Sequence, residues 1–559
     1  MADSAPIIPT LTRPAPDGAP GPRDDYLYDL VEARFERLIR DNPVMGTYLG
    51  LHEHDAELGD GTRDALLGEL EAEKAHLSAV ESIDPAELSS TAGFERELEI
   101  HNLRRVVFDT EVLRVWERRS TAMDTVGDSL FLLFVRDHAP LSERLIDIAS
   151  RLERVPAYLV QSQTRARGPQ VRLWQQLEIE AAASLPSLFD EFVAAGEDAL
   201  STLERRRLEA AVDSAKIAVA NYRSWVQDSV PGGTDDWAIG RDRYDELVGL
   251  RAFDGLDADA ILELGLERLE EERAARAAAA REIDPDADVE AVVDRVKSDH
   301  PATIDEALDA YRAAMEEARR YIVEHDLLSV PEEGVDVIET PSYLRNVIPF
   351  AAYFETPKFD RHPRGIYIVT PSVNGEPGAM REHNFASVSN TSIHEAYPGH
   401  HVQLATAAKH PSLTRLLTDA PEFVEGWGMY SELMMREAGF DTDPRHRLIL
   451  HTDAAWRACR IILDVRMHRG EIGLDEATRF LVEQTDFEEA NARAEVHWYT
   501  YRPTYPMSYL LGRTLLVELR AEEQRRRGDR FNLRSFHDSL LRNGSLPLSF
   551  HRRVLAALP

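Results

Sequence analysis

Amphipathic segments with the period of an α-helix follow one another along the sequence from Asp25 to about residue 325. The first of them, YLYDLVEARFERLIRDNP, repeats apolar side chains every three or four residues until Asn42-Pro43 ends the turn. The same pattern returns at residues 64–80, 92–119, 141–166, 170–196, 201–227, 258–282, 287–298 and 303–325. The segments have no fixed repeat period, which argues against a solenoid. The sequence therefore predicts a mainly α protein with a large multi-helix body.

The pattern changes between residues 330 and 372, where β-branched and aromatic residues are interrupted by prolines. Runs of this composition favour strands, and RGIYIVT at 364–370 is the clearest of them. We expect a small antiparallel β-sheet here. A helix should follow it, and the sequence is helical again from about residue 411 to the end.

The length of 559 residues exceeds that of one ordinary hydrophobic core, so we expect more than one substructure. We divide the chain into a Pro/Ala-rich disordered tail at 1–24, a helical N-terminal lobe at 25–330 and a catalytic lobe at 331–559 that contains the sheet. Lobes of this size would have room for a deep central cleft.

The charge balance excludes several classes of partner. Asp and Glu outnumber Lys and Arg by 99 to 64, and the formal net charge of −35 disfavours nucleic acid and anionic membranes. The sequence contains no apolar run of bilayer length, and it does not begin with a basic segment followed by an apolar one. A single cysteine, Cys459, fits a reducing compartment. These features predict a cytoplasmic protein and give no indication of oligomeric state.

One short stretch, SIHEAYPGHHVQ, which begins at Ser392, has the composition of a metal site. A helix that presents His-Glu-x-x-His places two imidazoles on one face and a glutamate beside them. Here proline stands where the second histidine is expected, and proline interrupts a helix. If two residues loop out at Pro398-Gly399, His400 returns to the angular position of a second ligand. His401, in contrast, lies about 10 Å along the axis from His394.

A catalytic zinc ion needs a third protein ligand and an open position for water. Candidates lie in APEFVEGWGMYSELMM, where Glu422, Glu425 and Glu432 fall on one predicted helix. Glu425 and Glu432 share a helical face, so that either could bind the metal while the other supports it from outside. The spacing alone does not choose between them.

Five segments of the sequence together resemble a known bacterial family. They are NPVMGTYLGLHEHDAELGD, HEAYPGHH, EGWGMYSE, RIILDVRMHRGEIGLDEA and EVHWYTYRPTYPMSYLLG. The segments run from about residue 42 to about residue 515 and resemble the family catalogued as domain of unknown function 885. More distantly, the histidine stretch and FVE at 423–425 are similar to the thimet oligopeptidase type of zinc peptidase, in which HEFGH is followed by DFVE.

The second resemblance implies a zinc-peptidase-like fold and a set of metal ligands. In that family the first histidine and the glutamate are about 29 residues apart. Here the interval from His394 to Glu425 is longer by two, which is the number of residues that Pro398-Gly399 inserts between the histidines. The resemblance therefore implies that His394, His400 and Glu425 hold one zinc ion.

The same resemblance assigns supporting roles. Glu395 is the general base toward water, and His401 and Glu432 are candidates to support the ligands from outside. Peptidases of this kind usually stabilise the oxyanion with a phenol or an imidazole from another segment. In WYTYRPTYPMSYLLGR we favour Tyr509 first and Tyr499 second for this role.

Four further residues complete the candidates. Arg502 and Arg513 could bind a substrate carboxylate, as a carboxypeptidase requires, or form solvated salt bridges. Asp464 and His468 lie four apart on one helical face; they could bind a second metal, although support of the helix is favoured. The chain reads Pro503-Thr504-Tyr505 where relatives tend to read Pro-Gly-Gln, so substrate preference cannot be carried over.

These residues predict a zinc-dependent hydrolase of peptide bonds in short oligopeptides or at a C-terminal residue, or of related amide bonds. Nothing in the motif identifies the scissile bond, so a hydrolase of non-peptide amides or esters is an alternative. A non-catalytic, metal-stabilised helical scaffold is a second alternative, if the Pro-Gly break turns Glu395 away from the metal. A peptidase would also use the strand Gly365–Thr370 as an unpaired edge that binds the substrate backbone.

Overall fold

The computed structural model describes residues 13–341, 344–345, 348, 351–371, 379–485 and 487–558. Helices α1 to α8 are Asp24–Asp41, Pro43–Leu49, Arg63–Glu81, Ser90–Phe108, Val115–Arg118, Ala122–Val135, Leu141–Leu152 and Val155–Gln163. Helices α9 to α15 are Arg172–Ser184, Pro186–Ala199, Thr202–Ser229, Arg241–Arg251, Ala258–Ile283, Val289–Lys297 and Ile304–Glu324. Most of the amphipathic segments found in the sequence are therefore helices.

Three strands and ten further helices complete the described chain. The strands β1, β2 and β3 are Gly334–Glu339, Ala351–Phe354 and Arg364–Val369. Helices α16 to α25 are Phe385–Glu395, His400–Ala407, Leu413–Leu416, Pro421–Glu437, Pro444–His468, Leu474–Thr485, Glu489–Tyr499, Ser508–Arg527, Leu533–Arg542 and Leu548–Ala557. The prediction of a mainly α protein with a small sheet is confirmed.

The sheet is mixed, so the prediction of an antiparallel sheet is wrong. Its order is β1-β3-β2, with β3 parallel to β1 and antiparallel to β2. The strand predicted to offer a free edge to a substrate, Gly365–Thr370, forms most of the central strand β3 and is paired on both sides. The composition of a strand indicates that it is extended but not which strands become its neighbours.

The sheet lies between two hydrophobic cores. Tyr367 and Val369 of β3 belong to the larger core, and the alternate residues Ile366 and Ile368 belong to a second core formed mainly by helices before residue 230. Successive side chains of a strand point to opposite faces, so a strand buried on both faces is apolar throughout. This arrangement explains the uninterrupted apolar run in RGIYIVT, which is buried from Gly365 to Val369. Helix α16 is the next α-helix after this strand in the described chain.

The larger core combines side chains from both sides of the predicted boundary at residue 330. Helix α13, from the first lobe, packs along α20, from the second. The predicted division into lobes and the deep central cleft stay predictions. Residues 1–12 of the predicted tail lie outside the described residues, whereas Arg13 donates from Nε to Glu32 Oε1 at 2.7 Å. No helix in the described part of the chain combines the length and apolarity that crossing a bilayer requires.

Candidate metal centre

The helix that carries the histidine motif is interrupted, as Pro398 predicts. Helix α16 begins after Asn384, whose side chain accepts a hydrogen bond from the Ser387 amide at 2.9 Å, and it ends at Glu395. Helix α17 then begins at His400. Proline has no amide hydrogen and its ring collides with the carbonyl one turn earlier, so the helix does not continue through this position.

Gly399 allows the chain to fold back tightly between the two helices. Its amide donates to the Ile393 carbonyl at 2.9 Å, and a Cβ at this position would lie 1.7 Å from the His394 carbonyl oxygen. Only glycine avoids that collision. The indole Nε1 of Trp427, on α19, donates to the Pro398 carbonyl at 2.8 Å and holds the turn from outside.

This turn brings the three predicted ligands together. Ligand atoms of His394, His400 and Glu425 all lie within 4.8 Å of one another, and the three side chains are buried. Glu425 Oε2 is 3.7 Å from His394 Nε2 and 3.3 Å from His400 Nε2. The two imidazole rings meet at 89°, with centroids 4.7 Å apart. Lone pairs in the planes of such rings can converge on one point, as metal coordination requires.

Glu432 supports His394 from behind. Its Oε1 is 2.7 Å from His394 Nδ1, and its Oε2 accepts from Asn390 Nδ2 at 2.9 Å. When Nδ1 donates to this carboxylate, the lone pair of Nε2 is free on the side of Glu425. Gly428 leaves room for the ring, since a Cβ there would lie 2.6 Å from His394 Cε1. The structure thus places Glu425 at the ligand position and Glu432 behind the imidazole.

Tyr505 contacts the glutamate of the cluster, which no sequence pattern indicates. Its hydroxyl donates to Glu425 Oε1 at 2.6 Å, while Oε2 faces the histidines. Tyr505 lies in the turn between α22 and α23, and 80 positions of the sequence separate it from Glu425, so local spacing gives no sign of the contact.

The buried charges favour a cation at this cluster. Burial alone lowers the pKa of His394, but the carboxylates of Glu425 and Glu432 outweigh burial and raise that pKa to about 10. Burial raises the pKa of Glu425, yet the charges of His400 and His394 hold it well below its usual range. A metal ion would take the place of the proton that the two carboxylates stabilise here.

Glu395 and Tyr509 lie beside the three ligands. Burial raises the pKa of Glu395, although the charges of His400 and His394 oppose the rise. The Tyr509 ring stacks on His394, with centroids 6.3 Å apart and planes inclined by 14°. Burial also raises the pKa of Tyr509, so its hydroxyl keeps its proton and can donate a hydrogen bond.

Of three other predicted site residues, two bind partners outside the histidine cluster and one is exposed. The buried Tyr499 hydroxyl donates to Glu495 Oε2 at 2.8 Å. Arg513 forms an ion pair with the buried Glu272 of α13. Arg502 is exposed. The structure therefore gives none of the three a described contact with the histidine cluster.

His401 is turned away from the cluster, although it follows His400 directly. Its Nδ1 is 2.9 Å from the Tyr353 hydroxyl of β2, and its Nε2 is 2.9 Å from the Glu333 carbonyl oxygen. Both ring nitrogens are thus engaged with the sheet and the segment before it. The role of His401 in this structure is to connect α17 with β2 and the start of β1.

Asp464 and His468 hold the backbone that carries the tyrosines. Asp464 accepts hydrogen bonds from the amides of Thr504 at 3.0 Å and Met507 at 3.3 Å, in the turn that contains Tyr505. His468 Nε2 binds the carbonyl oxygen of the residue that ends α22 at 3.0 Å. Among the described residues, neither belongs to a group of three side chains that could hold a metal ion.

A second histidine–carboxylate cluster lies in the N-terminal half of the chain, where sequence patterns had singled out no site. Asp55 Oδ2 is 2.7 Å from His52 Nδ1 and 3.5 Å from His138 Nε2. Ligand atoms of these three residues also lie within 4.8 Å of one another. The two rings, however, are stacked with centroids 3.8 Å apart and planes inclined by 3°. The described residues thus contain two such clusters, which differ in ring geometry.

The first cluster fits a zinc ion because of the types of its donor groups and because one of its buried carboxylate oxygens lacks a hydrogen-bond partner in the described chain. Two histidines and one glutamate with an open fourth position are typical of catalytic zinc. Glu425 Oε2 and His400 Nδ1 are buried and have no hydrogen-bond partner within the described ranges. An ion bound through Oε2 would give this oxygen the partner that buried polar atoms normally have.

Fold and cluster together define a class of protein: a mainly helical body with a small mixed sheet and a buried group of two histidines and one glutamate. The family model described as "Bacterial protein of unknown function (DUF885)" matches residues 43–555. The chain belongs to this family, which confirms the first resemblance. No curated protein matches the chain, and these comparisons give no support to the likeness to thimet oligopeptidases.

Two solved structures share the fold. One is a "putative lipoprotein of unknown function" from Shewanella oneidensis, with 21% identity and a TM-score of 0.76 over 95% of this chain and 99% of that one. The other, from Colwellia psychrerythraea, is also described as a lipoprotein, with 17% identity and a TM-score of 0.82 over 95% and 98%. The prediction of a cytoplasmic location is contradicted by these descriptions. It depended on one cysteine and an unremarkable first segment, and neither determines where a protein is located.

Proposed function

We propose that this protein is a zinc-dependent hydrolase that cleaves peptide bonds of short oligopeptides, or related amide bonds. The observation that carries the proposal is the convergence of His394, His400 and Glu425 at the turn between α16 and α17. Glu395 directly follows the first of these ligands, as it does in the motif of the thimet oligopeptidase type. That distant likeness supports the reaction class and leaves the substrate open.

The side chains around the cluster have separate tasks in this proposal. A zinc ion held by the three ligands would supply Lewis-acid activation of water and of the scissile carbonyl. Glu395 accepts a proton from the attacking water at its carboxylate and passes it to the leaving amine, and a raised pKa suits both transfers. The neutral Tyr509 hydroxyl donates a hydrogen bond to the oxyanion. Glu432 keeps the His394 imidazole in one orientation.

We propose that a substrate reaches the cluster from the side of Glu395 and Tyr509. Both residues are only partly buried, whereas the three ligands are buried. A cleft bounded by helices on this side would admit short peptides more readily than folded proteins. The lipoprotein descriptions of the two solved relatives favour a location outside the cytoplasm for this activity.

The proposal is tested by Glu395→Gln in the zinc-loaded protein, with a panel of short peptides as substrates. Loss of the general base should lower the rate of hydrolysis by about 10²- to 10⁴-fold while the zinc content stays unchanged. Glu382→Gln is the matched control, because Glu382 is paired with Lys297 outside the cluster. Peptide cleavage that survives Glu395→Gln would contradict the assigned role.

The two alternatives give different results in the same experiment. A wild-type protein that cleaves ester or non-peptide amide substrates and none of the peptides would change the substrate class but keep the mechanism. A protein that binds zinc, is destabilised when the zinc is removed and cleaves nothing would be a metal-stabilised scaffold.

A further inference from the structure

Arg457 and Arg460, which lie one turn apart on α20, differ in how fully their guanidinium groups are hydrogen-bonded. Arg460 donates from Nη2 to Glu495 Oε2 at 2.9 Å, although its Nη1 has no hydrogen-bond partner among the described residues. For Arg457, both Nε and Nη1 are buried without a hydrogen-bond partner in the described part of the chain. Its ion pair with Asp453 is long, at 3.6 Å from Nη1 to Oδ1. Buried guanidinium donors are normally hydrogen-bonded, so Arg457 has unused binding capacity.

Arg457 lies next to the groups that would perform the reaction. Arg457 is paired with Asp453, which accepts a hydrogen bond from Asn390 of α16. Asn390 also donates to Glu432, the carboxylate that binds His394 Nδ1. The next arginine on the same helix, Arg460, has its Cζ 4.6 Å from the centroid of the Tyr509 ring. This face of α20 therefore borders the side of the cluster from which a substrate would arrive.

The Arg457 side chain is held in place and remains accessible. Its Cζ lies 3.6 Å from the centroid of the Trp456 ring, which supports the flat guanidinium by stacking. The side chain is 15% exposed. Nearby acids have other partners, since Asn390 Nδ2 donates to both Glu432 and Asp453 at 2.9 Å. The guanidinium is thus supported by Trp456, belongs to a side chain that is partly exposed, and has only a long ion pair with Asp453 in the described part of the chain.

We infer that Arg457 forms a subsite for a carboxylate group of the substrate. The inference rests on the proposed function, because it places this carboxylate close to the bond on which Glu395 acts. A guanidinium matches a carboxylate through two parallel hydrogen bonds. The carboxylate is either the C-terminal group of a peptide or an acidic side chain next to the scissile bond. Of the two arginines that the sequence suggested for this role, Arg513 is already paired with Glu272 and Arg502 is exposed.

The test is peptide binding to the full-length, zinc-loaded Glu395→Gln protein, measured by isothermal titration calorimetry. The probes are acetyl-Ala-Ala-Ala as free acid, the same peptide as C-terminal amide, and acetyl-Ala-Glu-Ala-amide. We expect one of the two acids to bind about tenfold more tightly than the neutral amide, as charge-assisted pairing allows. The preference should disappear when Arg457→Gln is added.

The acidic probe that binds more tightly identifies the source of the carboxylate. A preference for the free acid that depends on Arg457 identifies the C-terminal group, and one for the glutamyl peptide identifies an acidic side chain. Arg445→Gln, at the exposed start of α20, should keep the preference. Equal binding of all three probes, binding of none, or a preference that survives Arg457→Gln would overturn the subsite.

Two further measurements keep the outcomes separate. Arg457→Lys keeps the positive charge but lacks the two parallel donors, so the preference for acidic probes should be reduced but present. If Arg457→Gln does not fold, this reduction serves as the test of the subsite. Hydrolysis of the same probes by the wild-type protein distinguishes the subsite from the reaction. Cleavage with no preference for acids would refute the subsite alone, and an Arg457-dependent preference in binding without any cleavage would refute the hydrolase alone.

Discussion

The two histidine–carboxylate clusters of this chain have the same types of side chain and different ring geometry. His394 and His400 meet edge to face at 89°, whereas His52 and His138 are stacked at 3°. Imidazole binds a metal through a lone pair in its own plane. Perpendicular rings can direct both lone pairs at one ion, but rings stacked 3.8 Å apart direct them along parallel lines. Residue type and proximity alone would have assigned a metal to both.

Charge does not separate the clusters, because carboxylates raise a histidine pKa in each. Burial lowers the pKa of His52, but the carboxylates of Asp360 and Asp55 outweigh burial and raise it to about 9. Burial lowers the pKa of His138 to about 4. In the stacked cluster, His52 is therefore a protonated imidazole between Asp55 and Asp360, and the neutral His138 ring stacks on it. The cluster connects the loops after α2, after α6 and before β3. In this chain, ring orientation is the difference that favours a metal ion at the first cluster and an ion pair at the second.

The largest effect expected from a single contact at the first cluster is that of Tyr505→Phe. Loss of the hydrogen bond to Glu425 Oε1 should lower zinc affinity by about 10- to 100-fold, as is typical of groups that orient a metal ligand. Tyr499→Phe removes a hydroxyl that binds Glu495 instead and serves as the matched control. The measurement is zinc affinity by competition with a chelator. Equal zinc affinities of Tyr505→Phe and Tyr499→Phe would contradict a role of Tyr505 in orienting Glu425.

A smaller effect is expected from Gly428→Ala, which pushes a methyl group against the His394 ring. The new Cβ would lie 2.6 Å from Cε1, so the free energy of unfolding should fall by about 1–3 kcal/mol and zinc should bind more weakly. Gly249→Ala is the control, since its Cβ would meet no atom within 4 Å on the exposed face of α12. Urea denaturation with and without zinc measures both effects. If Gly428→Ala bound zinc as tightly as wild type, the orientation of the His394 ring would not control zinc binding.

The smallest effect concerns the pH dependence of the second cluster. The pKa of His52 is raised from 6.5 to about 9 on folding, so its contribution to stability is fully present below pH 6.5 and is lost as the pH rises through 9. The stability difference between wild type and His52→Gln should therefore shrink by about 1–2 kcal/mol over this range, after allowance for partial exposure. His138 is neutral in both states there and does not contribute. Urea denaturation at several pH values checks this, and a difference that stays constant would contradict a protonated His52.

Long amphipathic helices could be predicted from the sequence almost to the residue. Segment 201–227 corresponds to Thr202–Ser229, because Ser201 and Glu204 form a capping box that marks its start. Ala122–Val135 could not be predicted, since it ends in an unbroken apolar run in which no helical period is visible. Segment 141–166 is divided into α7 and α8, because a break of two residues leaves little trace in the pattern.

The candidate site shows the same limit. The pairing of His394 with His400 could be predicted from local spacing and one insertion, whereas the choice of Glu425 over Glu432 was implied only by the resemblance to zinc peptidases. Tyr505 reaches the site through the turn before α23, and no local pattern contains that information. Sequence patterns therefore indicate ligands on one short segment more readily than the groups that position them.

The most direct test of the central claim is the metal content of the full-length protein, purified without chelator or nickel and measured by elemental mass spectrometry. Wild type is compared with His400→Ala, His401→Ala and His138→Ala. We predict one equivalent of zinc in wild type, His401→Ala and His138→Ala, and its loss in His400→Ala alone. A wild-type protein that binds no zinc even when zinc is added, or a loss in His138→Ala with retention in His400→Ala, would contradict the account.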